Sequence, residues 1–316
     1  VRAAVQRYWV QLALVGVAMV WGATFVMVKD AVSLYPLYSF LAWRFAIAVV
    51  AFVAIFPRAL RRLDAPTIGV GVLAGAFLCV GYVFQTWGLQ GTSASKAAFI
   101  TGMFVVITPI MQALVLRRVP TWATAAGAAL AVCGLWLLSG GGDGGWNVGD
   151  TRVLVCAFGY SAHMIVLGSL ARERSVTALT LVQLATTAVV CGAIAVAAEG
   201  VSVPAQGSVW VALLVTGVLA SAAAFGIQTY AQRHIPPART ALILIMEPAF
   251  GGLFGWLAGE MLGLRGLAGA ALILAGMIVA EVVGARFEQA RDVVLEPTLE
   301  GPAVPLFEVE DGAREP

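Results

Sequence analysis

Charge is what this chain has least of. Asp, Glu, Lys and Arg together make up 11% of its 316 residues, against about 25% in a soluble globular domain. So few charges cannot cover a water-facing surface, which excludes an ordinary soluble fold. The formal net charge is only +2 and no basic run with interleaved aromatics occurs, so a nucleic-acid partner is excluded as well. Cysteine is nearly as scarce: Cys79, Cys133, Cys156 and Cys191 each stand alone in an apolar stretch. Without a CxxC or a histidine at ligand spacing, they read as small buried apolar residues rather than as zinc ligands or disulfides. No Walker A loop, HExxH or GxSxG is present, and the two histidines, His163 and His234, lie far apart. Neither ATP-driven transport nor a membrane-embedded hydrolase has the residues it needs, and no metal or cofactor is expected.

What is abundant is apolar sequence, 60% of the chain. It falls into stretches of about 20 residues, the length that crosses a ~30 Å hydrocarbon layer at 1.5 Å per residue. Breaks at Pro, Gly and charge clusters predict ten spans, near residues 9–28, 36–56, 66–86, 95–116, 121–139, 150–170, 176–197, 207–230, 238–258 and 264–285. The run from Val10 is read as the first of them rather than as a removable signal. The chain is therefore expected to be an all-α integral membrane protein.

Basic residues orient the spans, because Lys and Arg near span ends are retained in the cytoplasm. With both termini inside, the inner loops receive Arg58, Arg61 and Arg62, then Arg117 and Arg118, then Arg172 and Arg174, then Arg233 and Arg239. Only Lys29, Arg44, Lys96, Arg152 and Arg265 fall toward the outer side or within a span. The expected location is the cell (inner) membrane, multi-pass. Beyond residue 285 the chain turns polar and acidic, and residues 286–316 are expected to form a disordered cytoplasmic tail.

The two halves repeat. "WGATFVM" at 21–27 can be laid over "FGYSAHM" at 158–164, and "FQTW" at 84–87 over "IQTY" at 227–230. Pro109 of "VITPI" aligns with Pro248 of "LIMEPAF", and "GAALAVCG" at 127–134 with "GAALILAG" at 269–276. Offsets of 137, 143, 139 and 142 residues are nearly constant. Residues 1–140 and 141–285 are thus expected to be two five-helix repeats. Because five is odd, the second crosses the membrane in the opposite sense, and inverted repeats of this kind put a solute site near the midplane where they meet.

These motifs, with "TSASKAAFITGMFVVITPIMQALVL" in the fourth span and "PPARTALILIMEPAFGGLFGWLAGE" in the ninth, resemble the EamA-type branch of the drug/metabolite transporter superfamily over about residues 9–285. The chain departs from the usual pattern in its first repeat, which has Thr108-Pro109 and Arg117-Arg118 where relatives often end that helix with Glu-Arg. The resemblance implies a secondary transporter, working by alternating access and exporting amino-acid-like or drug-like metabolites. It also implies a central cavity walled by the first, third, fourth, sixth, eighth and ninth helices. The competing expectation is a noncatalytic membrane scaffold or sensor. Expected partners are a small-molecule solute and the lipid bilayer, and a homodimer is compatible with this arrangement.

Within the spans few groups could carry transport, since a charge at membrane depth costs about 2.5–3.5 kcal/mol and generally faces an interior or aqueous path. Glu247 lies near the middle of the ninth span and reads either as a proton or substrate-cation site or as a structural carboxylate. His163 reads as a satisfied polar contact or a proton relay. Arg44 reads as an anion site or as a partner of Asp30 or Glu247. Candidate cavity residues are Trp21, Thr24, Tyr82, Gln85, Tyr160, His163, Gln228 and Tyr230, with Gln85 and Gln228 paired by the repeat and able to line a path or bond each other. Pro109 and Pro248 are candidate hinges, because each frees a carbonyl, of Val105 and Leu244, from its helix partner. Gly71 and Gly75 in the third span, and Gly251, Gly255 and Gly259 in the ninth, form stripes that permit close helix approach.

Overall fold

The structure, a computed structural model of the chain, describes residues 2–92, 94–117, 120–138, 146–171, 173–200, 202–257 and 263–283. All regular structure among them is helical. Arg118, Gly259, Glu260 and the acidic tail at 286–316 lie outside the described residues.

Ten apolar spans follow in order. The first three are α1 (Arg2–Leu34), α2 (Leu37–Ile55) and α3 (Ala65–Leu89), the last two separated by a 3-10 turn at Pro57–Arg62. The fourth span is broken into α4 (Ala94–Gly102) and α5 (Phe104–Leu116), and the fifth is α6 (Trp122–Leu138). The second repeat begins with α7 (Val148–Leu170) and α8 (Val176–Ala198). Its third span is α9 (Gly207–Gly217) running through a π-helical segment, Val218–Ala223, into α10 (Ala224–Ala231). The ninth span is again broken, into α11 (Pro237–Leu244) and α12 (Glu247–Leu257), and α13 (Leu264–Ile278) closes the repeat.

Helix packing repeats across the halves. The second span packs on the seventh and the fifth on the tenth, each being its own repeat counterpart. The fourth and ninth, also counterparts, touch as well, and the other large contacts between the repeats come as exchanged pairs: first with ninth and sixth with fourth, first with eighth and sixth with third, second with eighth and seventh with third. That pattern is the signature of a two-fold axis relating inverted five-helix repeats. It is sharpest between α6 and α13. A Cβ on Gly127 would lie 2.5 Å from the Gly276 carbonyl oxygen, one on Gly276 would lie 2.5 Å from that of Gly127, and one on Gly134 would lie 2.6 Å from that of Gly269. Glycine is needed there because the backbones themselves are the contact surface, the usual basis of helix association where lipid offers no hydrophobic drive. Gly71 and Gly75 play the same part against Val182, Gln183 and Thr186 of α8, and Gly251 faces Gly22 of α1.

The four cysteines are free thiols. Cys79 and Cys191 touch across α3 and α8 at 3.7 Å, without a covalent bond. Buried apolar side chains form two large clusters. One is centred on α2, α3, α8 and α9 around Phe40, Phe45 and Leu184; the other lies among α1, α5, α6, α11 and α13 around Leu14, Leu135 and Leu242. Trp21 and Tyr160 border both clusters, and the seam between them is where the polar residues collect.

The breaks bear differently on the two prolines. Pro109 does not interrupt its helix: it lies inside α5, and the fourth span breaks at Met103 instead. The Met103 carbonyl accepts from the N–H groups of both Val106 and Ile107 at 3.0 Å. Starting a new helix at Phe104 puts Val105, whose carbonyl the proline ring would crowd, in a first turn free to tilt. Pro248 by contrast is the second residue of α12, where its missing N–H would have had no helix partner anyway. The two prolines are therefore not equivalent kinks.

Candidate functional site

A cavity of about 70 Å³ lies at the seam between the repeats. Since a water needs roughly 10–15 Å³ of such space, it holds a few waters or the polar part of a small solute. Its walls come from the first, third, fourth, sixth, eighth and ninth spans, with Arg44 added from the second.

Arg44 is 3% exposed. Its Nε donates to Ser221 Oγ at 2.9 Å, and its Nη2 donates to Tyr82 OH at 3.1 Å and to the Ala220 carbonyl at 3.4 Å. The guanidinium carbon also lies 4.7 Å from the centre of the Tyr82 ring, a cation–π contact. Both the Ala220 carbonyl and Ser221 belong to the π segment of the eighth span. A π turn shifts a carbonyl out of the regular i→i−4 ladder, and here the Ala220 carbonyl also accepts the Trp21 indole N–H at 2.8 Å. Spans one, two and eight are thus tied at one point.

Glu247 opens α12 at the break in the ninth span, half-buried, with its side chain lining the cavity. A carboxylate is well placed at a helix N-terminus, whose free N–H groups carry partial positive charge. The first span presses on its backbone: a Cβ on Gly22 would lie 2.6 Å from the Glu247 carbonyl oxygen. Arg44 and Glu247 line the same cavity, yet neither an ion pair nor a hydrogen bond joins them. Asp30 is exposed and does not pair with Arg44 either.

The remaining polar residues divide. Tyr160 OH donates to Gln85 Oε1 at 3.0 Å, and Gln85 Nε2 donates to Thr101 Oγ1 at 3.4 Å. Gln228 does not bond Gln85; its Nε2 donates to Gln232 Oε1 at 3.4 Å, and its buried Oε1 has no partner among the described residues. His163 Nε2 donates to Gln183 Oε1 at 2.7 Å, and the same amide donates from Nε2 to Thr229 at 2.8 Å. That chain satisfies the imidazole Nε2, while one edge of the ring still borders the cavity. Thr24 lines the cavity, with its hydroxyl donating to the Val20 carbonyl at 2.9 Å.

Of the residues expected from the sequence, Trp21, Thr24, Tyr82, Gln85, Tyr160, His163, Gln228 and Glu247 are brought together. Tyr230 is not: it is 40% exposed, stacks near His234 at 4.9 Å, and faces a groove on the outer flank of the bundle. The sequence reading missed Ser221, the Ala220 carbonyl and Phe225. A lone serine in "VLASAAAF" was a weak signal for the first, and nothing in the residue types announces a π turn.

A family model described as the EamA-like transporter family matches residues 8–140 and 147–281. An uncharacterized transporter from Archaeoglobus fulgidus is 32% identical over 279 residues, 88% of this chain and 87% of that protein. An S-adenosylmethionine/S-adenosylhomocysteine transporter from Chlamydia muridarum is 29% identical over 150 residues, 44% of this chain and 46% of its own. A protein of known crystal structure superposes with a TM-score of 0.74 at 19% identity, over 89% of this chain and 99% of the other, which shows the shared fold. With two family matches laid over two inverted five-helix halves, the chain is a multi-pass, non-enzymatic membrane transporter and belongs to the EamA-like transporter family.

Proposed function

We propose that the chain is a secondary transporter that exports a small amino-acid-like metabolite by alternating access. Residues 1–140 and 141–285 would move as the two repeats, in the inner membrane with both termini cytoplasmic. The observation that carries this reading is the composition of the cavity. It holds a guanidinium, Arg44, whose Nη1 has no protein partner among the described residues, and a carboxyl group, Glu247, to which it is not bonded. Gln228 Oε1 adds a buried acceptor without a donor among the described residues. A solute with a carboxylate at one end and an ammonium at the other supplies the missing partner to each, and leaving a buried polar atom unmatched costs about 1–3 kcal/mol. The S-adenosylmethionine transporter among the relatives carries a solute of this zwitterionic kind.

Support for alternating access comes from the unequal ends of the bundle. At the arginine-rich end Gln232 Nε2 donates to the Met164 carbonyl at 2.7 Å and the Ala238 N–H donates to Gln112 Oε1 at 3.1 Å. Gly168 meets Pro237 there, leaving no room for a Cβ. Toward the other end the cavity reaches Thr86 and Leu89 of α3 and Val28 of α1. By the distribution of arginines the closed end is the cytoplasmic one, so the state described is closed to the cytoplasm. Pro248, beside the ninth-span break, is the better hinge candidate; Pro109 lies within a continuous helix.

Counterflow into reconstituted vesicles tests the reading. Labelled zwitterionic amino acids and sulfonium amino acids should exchange saturably, whereas nucleobases and monovalent cations should not. Absence of exchange across the whole amino-acid panel by folded protein would overturn it.

A further inference from the structure

A second and larger recess lies outside the central site. It is an apolar groove of about 1050 Å³ on the flank of the bundle, between α1, α2, the start of α8 and the eighth span. Its rim at the arginine-rich end is aromatic and exposed: Trp9 is 66% exposed, Phe56 44% and Tyr230 40%. Its floor is the π segment itself, through Leu219, Ala222 and Ala223.

Three observations say what fits. The groove runs along the eighth span from Tyr230 to Val218, a rise of about 18 Å at 1.5 Å per residue. That is close to one leaflet's half of a ~30 Å hydrocarbon layer, so it matches a chain entering from one headgroup region and ending near the midplane. Its lining is almost wholly hydrocarbon, and its aromatic rim is of the kind that sits at the headgroup level. Finally, the chain leaves the rim at Phe56 directly into the 3-10 turn Pro57–Arg62, which exposes Arg58, Arg61 and Arg62 and contains no acidic residue. The nearest carboxylate in sequence, Asp64, is engaged as the N-cap of α3.

We infer that this groove is a specific site for an anionic phospholipid, with one acyl chain against the π segment and the phosphate-bearing headgroup on Arg58, Arg61 and Arg62. A bound chain braces the side of the π segment opposite to Ala220 and Ser221, which hold Trp21 and Arg44 in the central site. The lipid thereby supports the wall of the solute cavity from behind without touching the solute. The inference does not depend on which solute is carried.

The full chain, purified in detergent, is titrated with phosphatidylglycerol or phosphatidylcholine of the same acyl composition, and its melting temperature and retained lipid are measured. Near saturation phosphatidylglycerol should raise Tm by about 5 °C or more, phosphatidylcholine by much less, and native mass spectrometry should show one retained phosphatidylglycerol per chain. The triple variant Arg58→Gln, Arg61→Gln, Arg62→Gln should still fold but lose the difference between the lipids. Ala223→Phe, which fills the groove from an exposed position, should abolish retention of either lipid. Equal effects of both lipids on the wild type, or unchanged retention in Ala223→Phe, would overturn the proposal. A dimer that Ala223→Phe dissociates would also overturn it, assigning the groove to a second copy of the chain.

Discussion

The two repeats share a plan but not a chemistry, and the cavity lies where they differ. Gln85 and Gln228, Tyr82 and Phe225, Thr24 and Ser161, and Thr108 and Glu247 are counterparts at the repeat offsets. In the first pair of broken-span contacts, Thr108 Oγ1 donates to Ser161 Oγ at 3.1 Å and both side chains are fully buried. Their counterparts, Glu247 and Thr24, make no such bond and line the cavity instead. A neutral hydroxyl pair can be sealed inside a bundle at little cost, whereas a carboxylate resists leaving a polar environment. The eighth span carries a π segment that the third lacks, and Ser221, which receives Arg44, is matched in the first repeat by the apolar Leu78. One half-site is thus closed and the other open, and these are the two conformations that the proposed alternating access would exchange between the repeats.

The two-fold relation itself is the easiest part to break. Gly127→Leu should cost about 3 kcal/mol or more, since a side chain would have to enter a backbone contact that cannot yield. Gly276→Leu should cost as much. Melting in detergent checks both, and a large difference between them would show that the α6–α13 pairing is not symmetric. Next in size is Ser221→Ala, which deprives the Arg44 guanidinium of its shortest bond and should lower stability by about 1.5–3 kcal/mol. Leu78→Ala in a parallel measurement should instead show the ordinary cavity cost of a core leucine.

The chemical asymmetry can be sharpened by exchanging roles. Glu247→Gln should reduce counterflow at least tenfold, about 1.4 kcal/mol, while the protein remains folded. Thr108→Val should leave counterflow within about threefold and lower stability by about 1 kcal/mol through loss of the bond to Ser161. Equal loss of transport in the two variants would mean that the carboxylate is structural. The smallest expected effect separates the starts of the third and eighth spans. Asp64 caps α3 through the Thr67 hydroxyl and N–H, which hold its carboxyl below the usual range; α9 starts after Gln206 with no side-chain cap. A lowered folded-state pKa stabilises above the unfolded value and is lost as pH falls through the folded one. A slight acid-side loss of stability, absent in Asp64→Asn, should therefore be measurable by thermal melting.

Much of the fold was legible because its causes are local. Span length, arginine spacing and the glycine stripe at 71 and 75 are properties of short segments. The seam residues were legible through the repeat, which brought Gln85, Gln228 and Glu247 forward as polar groups with no local reason to be there. Tyr230 was misplaced because an aromatic near a span end suits a cavity and a membrane rim equally well, and side-chain chemistry does not tell them apart. The break at Met103, six residues before Pro109, was not legible for a related reason: a proline marks strain, but packing determines where along the span it is relieved.

By itself, then, the sequence determined that this chain crosses the membrane as two inverted halves, because apolar length and positive charge act independently of tertiary contacts. Only the tertiary structure decided that Arg44 binds Ser221 rather than Asp30 or Glu247, that the Ala220 carbonyl is presented to two other spans, and that one half-site is sealed while its counterpart stays open. Those outcomes depend on which groups meet across spans more than 170 residues apart in sequence, and on a single added residue in a helical turn, neither of which is written in any short stretch of residues.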